Sequence, residues 1–303
     1  MKSKDFLILF FNNANEENLF LDLLNKYPQI ESDCTFKWVN RFFRIIRRIH
    51  FKSNLPGTGI WLNKWKKDIY QKKCIICNAT YYSPKILKWI RKKNSKVKLI
   101  NYYWDIIEIS KYPIKKSKDF SNWSFNKKDC IQYKMNYNPQ FYLNTMYLSK
   151  VEVIYDIVYV GAEHVNRRKI LEKYIELFKK MNLKYFLYLV TPCIKADFDI
   201  YHKEKLDEKN FNYIMSQGKA ILEIIDAGFE WETQRPLLAL SNNKKLITNN
   251  INIKREKYYS PDNIFILGSD NEKDLIGFLN KPFKTISADI MNYYNVEEWI
   301  QRF

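Results

Sequence analysis

The sequence predicts an α/β protein of two Rossmann-like domains, residues 1–150 and 151–303, on three observations. Short apolar runs alternate with segments of helical period, the pattern of parallel strands linked by crossover helices. That pattern restarts after residue 150, with a junction near 145–152. Charge divides the same way: residues 1–150 hold 29 basic and 11 acidic side chains and residues 151–303 hold 22 of each, so the net +18 belongs wholly to the first half. A basic half joined to a neutral half implies two domains with different partners.

The elements follow in order. A buried-strand run, Phe6–Phe11, leads through a polar loop to a helical pattern at Leu19, Leu21, Leu23 and Leu24. Residues 37–52 have helical spacing and strong basic character. Cys74–Cys77 is a strand, Pro84 opens a helix carrying Ile86, Leu87, Trp89 and Ile90, and Val97–Trp104 is a further strand. In the second half Val153–Val160 is a strand ending at Gly161, and residues 165–181 form a helix. Tyr185–Val190, Ala220–Ile225, Lys245–Thr248 and Asn263–Leu267 are strands, with helices opening near Pro236 and over 272–280. The halves share architecture without a sequence repeat.

Several classes are excluded or disfavoured. No apolar run reaches the length of a transmembrane helix. Phe6–Phe11 is too short for a signal-peptide core, and Asn12, Asn13 and Asn15 follow it instead of a small-residue cleavage site, so a cytoplasmic protein is expected. Five scattered cysteines fit a reducing compartment. Cys74-x-x-Cys77 lacks a second ligand pair and encloses Ile-Ile, which suits a buried structural pair better than zinc. His50, His164 and His202 have no metal-ligand spacing. Neither G-x-x-x-x-G-K-[ST] nor G-x-S-x-G occurs, which disfavours P-loop nucleotide hydrolysis and serine hydrolysis.

Ligands of open α/β sheets bind beyond the carboxyl ends of the strands. That rule selects Asn12–Asn15, Asn78–Tyr82, Asp105, Gly161–Arg168, Thr191–Pro192, Asp226–Arg235 and Asn249–Asn250. At Gly161 a missing side chain permits close backbone approach, and Arg167 and Arg168 can make charge-assisted contacts to phosphate. A tight turn with solvated arginines is the plainer alternative. In Glu230-Trp-Glu-Thr-Gln-Arg-Pro236, Thr233, Gln234 and Arg235 fall at a helix start where an anion is favoured, and Glu230 and Glu232 can accept from sugar hydroxyls. The alternative there is a capped surface helix.

In the 37–52 segment Trp38, Phe42, Ile45 and Ile49 share one helix face, Arg41, Arg44 and Arg48 line the other, and Arg47 is nearby. An anionic membrane surface suits such a helix, and Trp61, Trp65, Lys64, Lys66 and Lys67 extend its character. The competing expectation is a core-packed apolar stripe with a solvated basic face. Nucleic acid is a weaker rival, since no helix-turn-helix, zinc-finger or RNA-recognition signature accompanies the charge.

Several segments resemble a family of bacterial GT-B-type glycosyltransferases of capsular polysaccharide and lipopolysaccharide biosynthesis. They are Lys98-Leu-Ile-Asn-Tyr-Tyr-Trp-Asp105, Trp123-Ser-Phe-Asn-Lys-Lys-Asp129 with Tyr133 and Phe141-Tyr142, and Tyr155-Asp-Ile-Val-Tyr-Val-Gly161 with Arg167. Thr233-x-Arg235, Lys244-Lys-Leu-Ile-Thr-x-Asn250 and Tyr258-Tyr-Ser-Pro-Asp-Asn-Ile264 continue the series. The chain departs from the family's Gln-x-Gly-Leu before the threonine, having Phe229, Trp231 and Glu232, and has Leu238 where the family has Glu after its arginine.

The resemblance implies two Rossmann-like domains facing a central cleft (GT-B). It implies transfer of a sugar from a nucleotide-sugar to a surface-glycan acceptor, lipid-linked, with no cofactor and no essential metal. The donor side would comprise Gly161, Glu163, Arg167, Thr191, Glu230, Thr233, Gln234 and Arg235 in the second domain. Asp105 is the candidate base, with a backbone-bonding role as its alternative. Arg41, Arg44, Arg47 and Arg48 fall on the membrane and acceptor side, placing the protein peripherally on the inner face of the cytoplasmic membrane. The contrasting expectation is a non-catalytic, basic membrane- or nucleic-acid-binding α/β protein.

Overall fold

Strands apolar on both faces, the mark of parallel sheets covered by helices, build each half of the chain. The computed structural model describes residues 4–11, 19–144, 148–164, 166–191, 200–226 and 233–303. The chain divides into two units, Met1–Pro139 with Val296–Phe303, and Gln140–Asn295.

In the first unit the order is β1 (Phe6–Phe10), α1 (Leu19–Asn25), β2 (Ile30–Cys34), α2 (Arg41–Lys52), β3 (Cys74–Asn78), α3 (Ser83–Lys93), β4 (Lys98–Tyr103), α4 (Ile107–Ser110), β5 (Ser121–Ser124), α5 (Lys127–Tyr133) and β6 (Asn136–Tyr137). Among the described residues they form one six-stranded sheet, β2-β1-β3-β4-β5-β6, with parallel pairings throughout. The chain lays β2 on one side of β1 and β3 on the other, so the topological switch lies between β1 and β3. Leu7, Leu9, Ile75, Cys77 and Leu99 pack with Ile86, Leu87 and Ile90 of α3 in the core. Burial pushes the Cys74 and Cys77 thiols up to about 12, as befits structural cysteines.

The single boundary expected near 145–152 contrasts with this division, in which the last eight residues return to the first unit. The cause is aromatic. Trp299, on the terminal helix Val296–Gln301, is fully buried, stacks on Trp104 and donates its indole N–H to the Pro139 carbonyl at 2.7 Å.

The segment 37–52 departs most from the plainer expectation. Its helix begins at Arg41, capped by Asn40, whose side chain accepts from the Phe43 amide. Phe51 and Arg47 turn inward, Arg47 lying 4.2 Å from the centre of the Phe36 ring. The stripe Trp38, Phe42, Ile45 and Ile49 faces outward, with Phe42 65% exposed. The expectation of an apolar stripe packed on the core is therefore corrected: the stripe is outside and Arg47 is inside, while Arg41, Arg44 and Arg48 are exposed as a solvated basic face requires.

In the second unit the order is β7 (Tyr155–Ala162), α6 (Arg167–Lys180), β8 (Tyr185–Val190), β9 (Tyr201–His202), α7 (Glu208–Ser216), β10 (Gly218–Glu223), α8 (Arg235–Ser241), β11 (Lys245–Thr248), β12 (Ile264–Ile266), α9 (Leu275–Asn280) and α10 (Ala288–Tyr294). The sheet order β12-β11-β10-β7-β8-β9 is again parallel throughout. Counted from β7 it is the doubly wound order of dinucleotide-binding folds, with its switch between β7 and β10. Ile157, Tyr159, Leu187 and Leu222 meet Leu171, Ile175 and Phe178 of α6 in one core layer. No helix among the described residues is long and apolar enough to cross a membrane.

Candidate functional site

The carboxyl ends of β7 and β10 bring charged groups together at the switch point. Glu223, the last residue of β10, is fully buried. Its two carboxylate oxygens accept from the Thr233 hydroxyl and, at 2.6 Å, from the Thr248 hydroxyl. Burial raises its pKa, while these hydroxyls and the nearby charges of Arg235 and Arg167 pull it down. Thr233 in turn accepts from the Arg235 amide at 3.1 Å, fixing the start of α8.

Arg235 folds back over the end of β7. Its Nη2 donates to the Val160 carbonyl at 2.8 Å, and its guanidinium lies 5.0 Å from the centre of the Tyr159 ring. Arg167 opens α6 and donates to the Ala162 carbonyl at 2.6 Å, while its Nε is buried without a hydrogen-bond partner. Two guanidinium groups thus flank one strand end, the arrangement that suits an anion bearing several oxygens.

Gly161 lies inside β7 and not beyond it. Residues 159 and 161 share a face of the strand, and a Cβ at 161 would stand 2.4 Å from the Tyr159 hydroxyl and 2.8 Å from Arg235 Nη2. The space that glycine leaves is thus filled by the protein's own Tyr159 hydroxyl and Arg235 guanidinium. Glu163 and Thr191 meet elsewhere: Arg168 Nε pairs with Glu163 at 2.7 Å, and Arg168 Nη2 donates to Thr191 Oγ1 at 2.9 Å. Thr191 Oγ1 also donates to Glu163, and Arg168 lies over the Tyr201 ring. Glu163 and Thr191 therefore hold Arg168 in place beside the strand ends. Gln234 is exposed and, with Thr233, Arg235, Phe141, Tyr142 and Leu238, lines a cavity of about 310 Å³. Glu230 and Glu232 lie outside the described residues.

Glu223 was not singled out from the sequence, although it carries a signal there, a carboxylate closing a strongly apolar strand run. His164 and Asp226 both fall in the selected strand-end segments, but their pairing, in which buried Asp226 binds the His164 ring at Nδ1 and accepts from the Asn166 amide at 3.2 Å, carries no signal in their spacing.

The first unit holds a second cavity, of about 920 Å³, beyond the ends of β1, β3 and β4. Arg44, Arg47, Arg48, Lys52, Lys85 and Lys115 line it, with Phe11, Tyr81, Tyr82 and Tyr112 among its aromatic walls. Arg41 is not among its lining residues and is exposed. Asp105 is accessible at its side chain, but the protein crowded around it raises its pKa; burial, and after it the charge of Asp105, raises that of Tyr112. The Trp123–Asp129 segment supports this region: Asn126 caps α5, and buried Asp129 accepts from the Ile107 amide at 3.0 Å, two residues beyond Asp105.

No protein-family model and no curated protein sequence matches the chain. Among solved structures it is similar to the crystal structure of TarM, with a TM-score of 0.52 and 10% identity over 77% of this chain and 54% of TarM. The chain thus spans about half the length of TarM. That likeness is one of fold, an α/β chain with two parallel sheets. The crystal structure of a transcriptional activator of the comK gene from Bacillus halodurans aligns at 12% identity over 80% of this chain and 69% of that one, with a TM-score of only 0.21.

Proposed function

We propose that the chain is a glycosyltransferase that moves a sugar from a nucleotide-sugar to a surface-glycan acceptor, lipid-linked and of the capsule or lipopolysaccharide type. The observation that carries this reading is the convergence of Arg235 and Arg167 at the β7–β10 switch point. The fold is shared with TarM, a teichoic acid glycosyltransferase of GT-B type, which supports the same class.

In this mechanism the second unit binds the donor. As the bond from the anomeric carbon to the diphosphate breaks, charge gathers on the departing oxygens, and fixed guanidinium groups stabilise it. Arg235 is held for that task by Thr233, Val160 and Tyr159. Seven-residue α8 adds little dipole of its own, so the side chain dominates. The first unit binds the acceptor, and Asp105 takes the proton of its hydroxyl as the new glycosidic bond forms. The reaction as written calls for no cofactor.

The outward stripe of α2 would sit in the headgroup region of an anionic membrane, with exposed Arg41 beside it, keeping the protein peripheral to that surface. Leaving such side chains in water forgoes about 1.5–3 kcal/mol apiece.

A thermal-shift screen of the full chain with UDP-, GDP-, CMP- and dTDP-sugars tests the donor assignment. One nucleotide class is expected to raise the Tm, and Arg235→Ala to abolish that shift while the unliganded chain stays folded. Undiminished stabilisation or turnover in Arg235→Ala overturns the assignment.

A further inference from the structure

The large cavity of the first unit has a charge that its fold does not require. Six cations line it, and among the described residues none of the six forms an ion pair with a carboxylate. They also disturb one another. Burial followed by the charge of Lys115 lowers the pKa of Lys85; burial lowers that of Arg47, Tyr82 partly restores it, and the charge of Arg44 adds a smaller lowering. Like charges gathered in a partly desolvated hollow oppose folding, and an anion entering the hollow relieves that opposition.

The cations are also positioned for a ligand. Lys85 is anchored by donating to the Phe51 carbonyl, and Arg47 is held over Phe36. Arg44 and Arg48 reach the hollow from successive turns of α2, and Lys115 reaches it from the segment after β4. Beside them stand flat walls: Tyr82 stacks on Phe11 at 5.7 Å, and Tyr81 meets Tyr112 edge-on at 5.3 Å. The hollow opens at the β1–β3 switch, where this topology places ligands.

We propose that this cavity binds the phosphate of a phosphorylated acceptor, a sugar phosphate or glycosyl phosphodiester, with the sugar ring against the aromatic wall. The word acceptor rests on the transferase reading; the phosphate binding does not. Guanidinium and ammonium groups supply the charge-assisted donors, and the tyrosine faces match the apolar faces of a sugar.

The test titrates the full chain calorimetrically with pyrophosphate, glucose 1-phosphate and glucose, and sediments it with phosphatidylglycerol or phosphatidylcholine vesicles. Each arm is repeated on Arg48→Gln/Lys115→Gln, whose two side chains are exposed and whose folding is checked by its melting curve, and on Arg235→Ala. The expected result is saturable, salt-sensitive binding of both phosphates but not of glucose. It should weaken by about tenfold or more in the double variant and persist in Arg235→Ala. Vesicle binding that weakens in the double variant while the soluble phosphates stay silent assigns the recognised phosphate to a lipid headgroup. Binding lost in Arg235→Ala but kept in the double variant belongs to the second unit and overturns the cavity assignment. Glucose binding as well as glucose 1-phosphate overturns it too, as does equal binding of every probe by parent and double variant. A failed nucleotide-sugar screen leaves these outcomes unchanged, so the two readings fail separately.

Discussion

Arg235, together with the Tyr159 hydroxyl, occupies the space that a side chain at Gly161 would need: a Cβ built there stands 2.8 Å from Nη2 of the arginine. The glycine in the strand and the arginine at the helix start are therefore one device, although 74 residues separate them in sequence (235 − 161).

Gly161→Ala is expected to push Arg235 off the Val160 carbonyl. The guanidinium would be displaced toward the cavity that it lines, and overpacking would cost about 1–3 kcal/mol. Thermal melting should fall modestly, and the shift produced by the stabilising nucleotide-sugar should shrink toward that of Arg235→Ala. An alanine variant with the parental nucleotide shift would separate the two residues functionally.

Asp105→Asn tests the proton-accepting role. The crowded surroundings raise the pKa of the carboxyl, so kcat should fall as pH drops, along a limb lying above the ordinary aspartate value of 3.8. The asparagine variant should lose about 10²–10⁴ in kcat and keep the parental nucleotide-induced melting shift. Full turnover in the variant would reduce Asp105 to a structural residue.

Glu223 allows a prediction from linkage. Its folded pKa is raised above the ordinary glutamate value of 4.5, mainly by burial. The native state therefore holds this proton more tightly than the unfolded chain, and stability falls as pH rises through the window above 4.5. Glu223→Gln stays uncharged and can still bond Thr233 and Thr248. The Tm difference, variant minus parent, should thus become more positive between pH 4.5 and 7.5. Subtraction removes the titration of the rest of the chain, and a flat difference would contradict the raised pKa.

The sequence revealed the elements wherever apolar runs were continuous. Tyr185–Val190 and Lys245–Thr248 have the expected bounds, and the strand at Cys74 runs one residue further. Strands with polar residues were missed. Ile30–Cys34 reads Ile-Glu-Ser-Asp-Cys at a sheet edge, and Ser121–Ser124 is held by pairing with β4 and not by its own hydrophobicity. The return of Trp299 to Tyr102 and Trp104 has no local signature, because it joins residues almost 200 apart. At the β7–β10 switch point, the placement of Thr233 and Arg235 beside the strand ends was legible from motif and strand-end position. Glu223 and the hold of Glu163 and Thr191 on Arg168 depend on contacts between elements distant in the chain. Helix periodicity found both faces of α2, but an amphipathic pattern alone does not say which face the core takes.

That inversion yields the last prediction. Phe42, Ile45 and Ile49 stand on the outer face of α2, each more than half exposed. Phe42→Ser/Ile45→Ser/Ile49→Ser removes little buried surface, so the Tm should change by no more than a few degrees. The same variant should lose most co-sedimentation with phosphatidylglycerol vesicles, because apolar burial supplies the insertion energy. Arg41→Gln should instead weaken binding by about 1 kcal/mol, roughly fivefold, and only on anionic vesicles. Raising the salt should mimic Arg41→Gln and not the triple variant, since screening acts on charge and leaves apolar insertion in place. Equal sedimentation of parent and triple variant on every vesicle would show that the outward stripe meets something other than lipid.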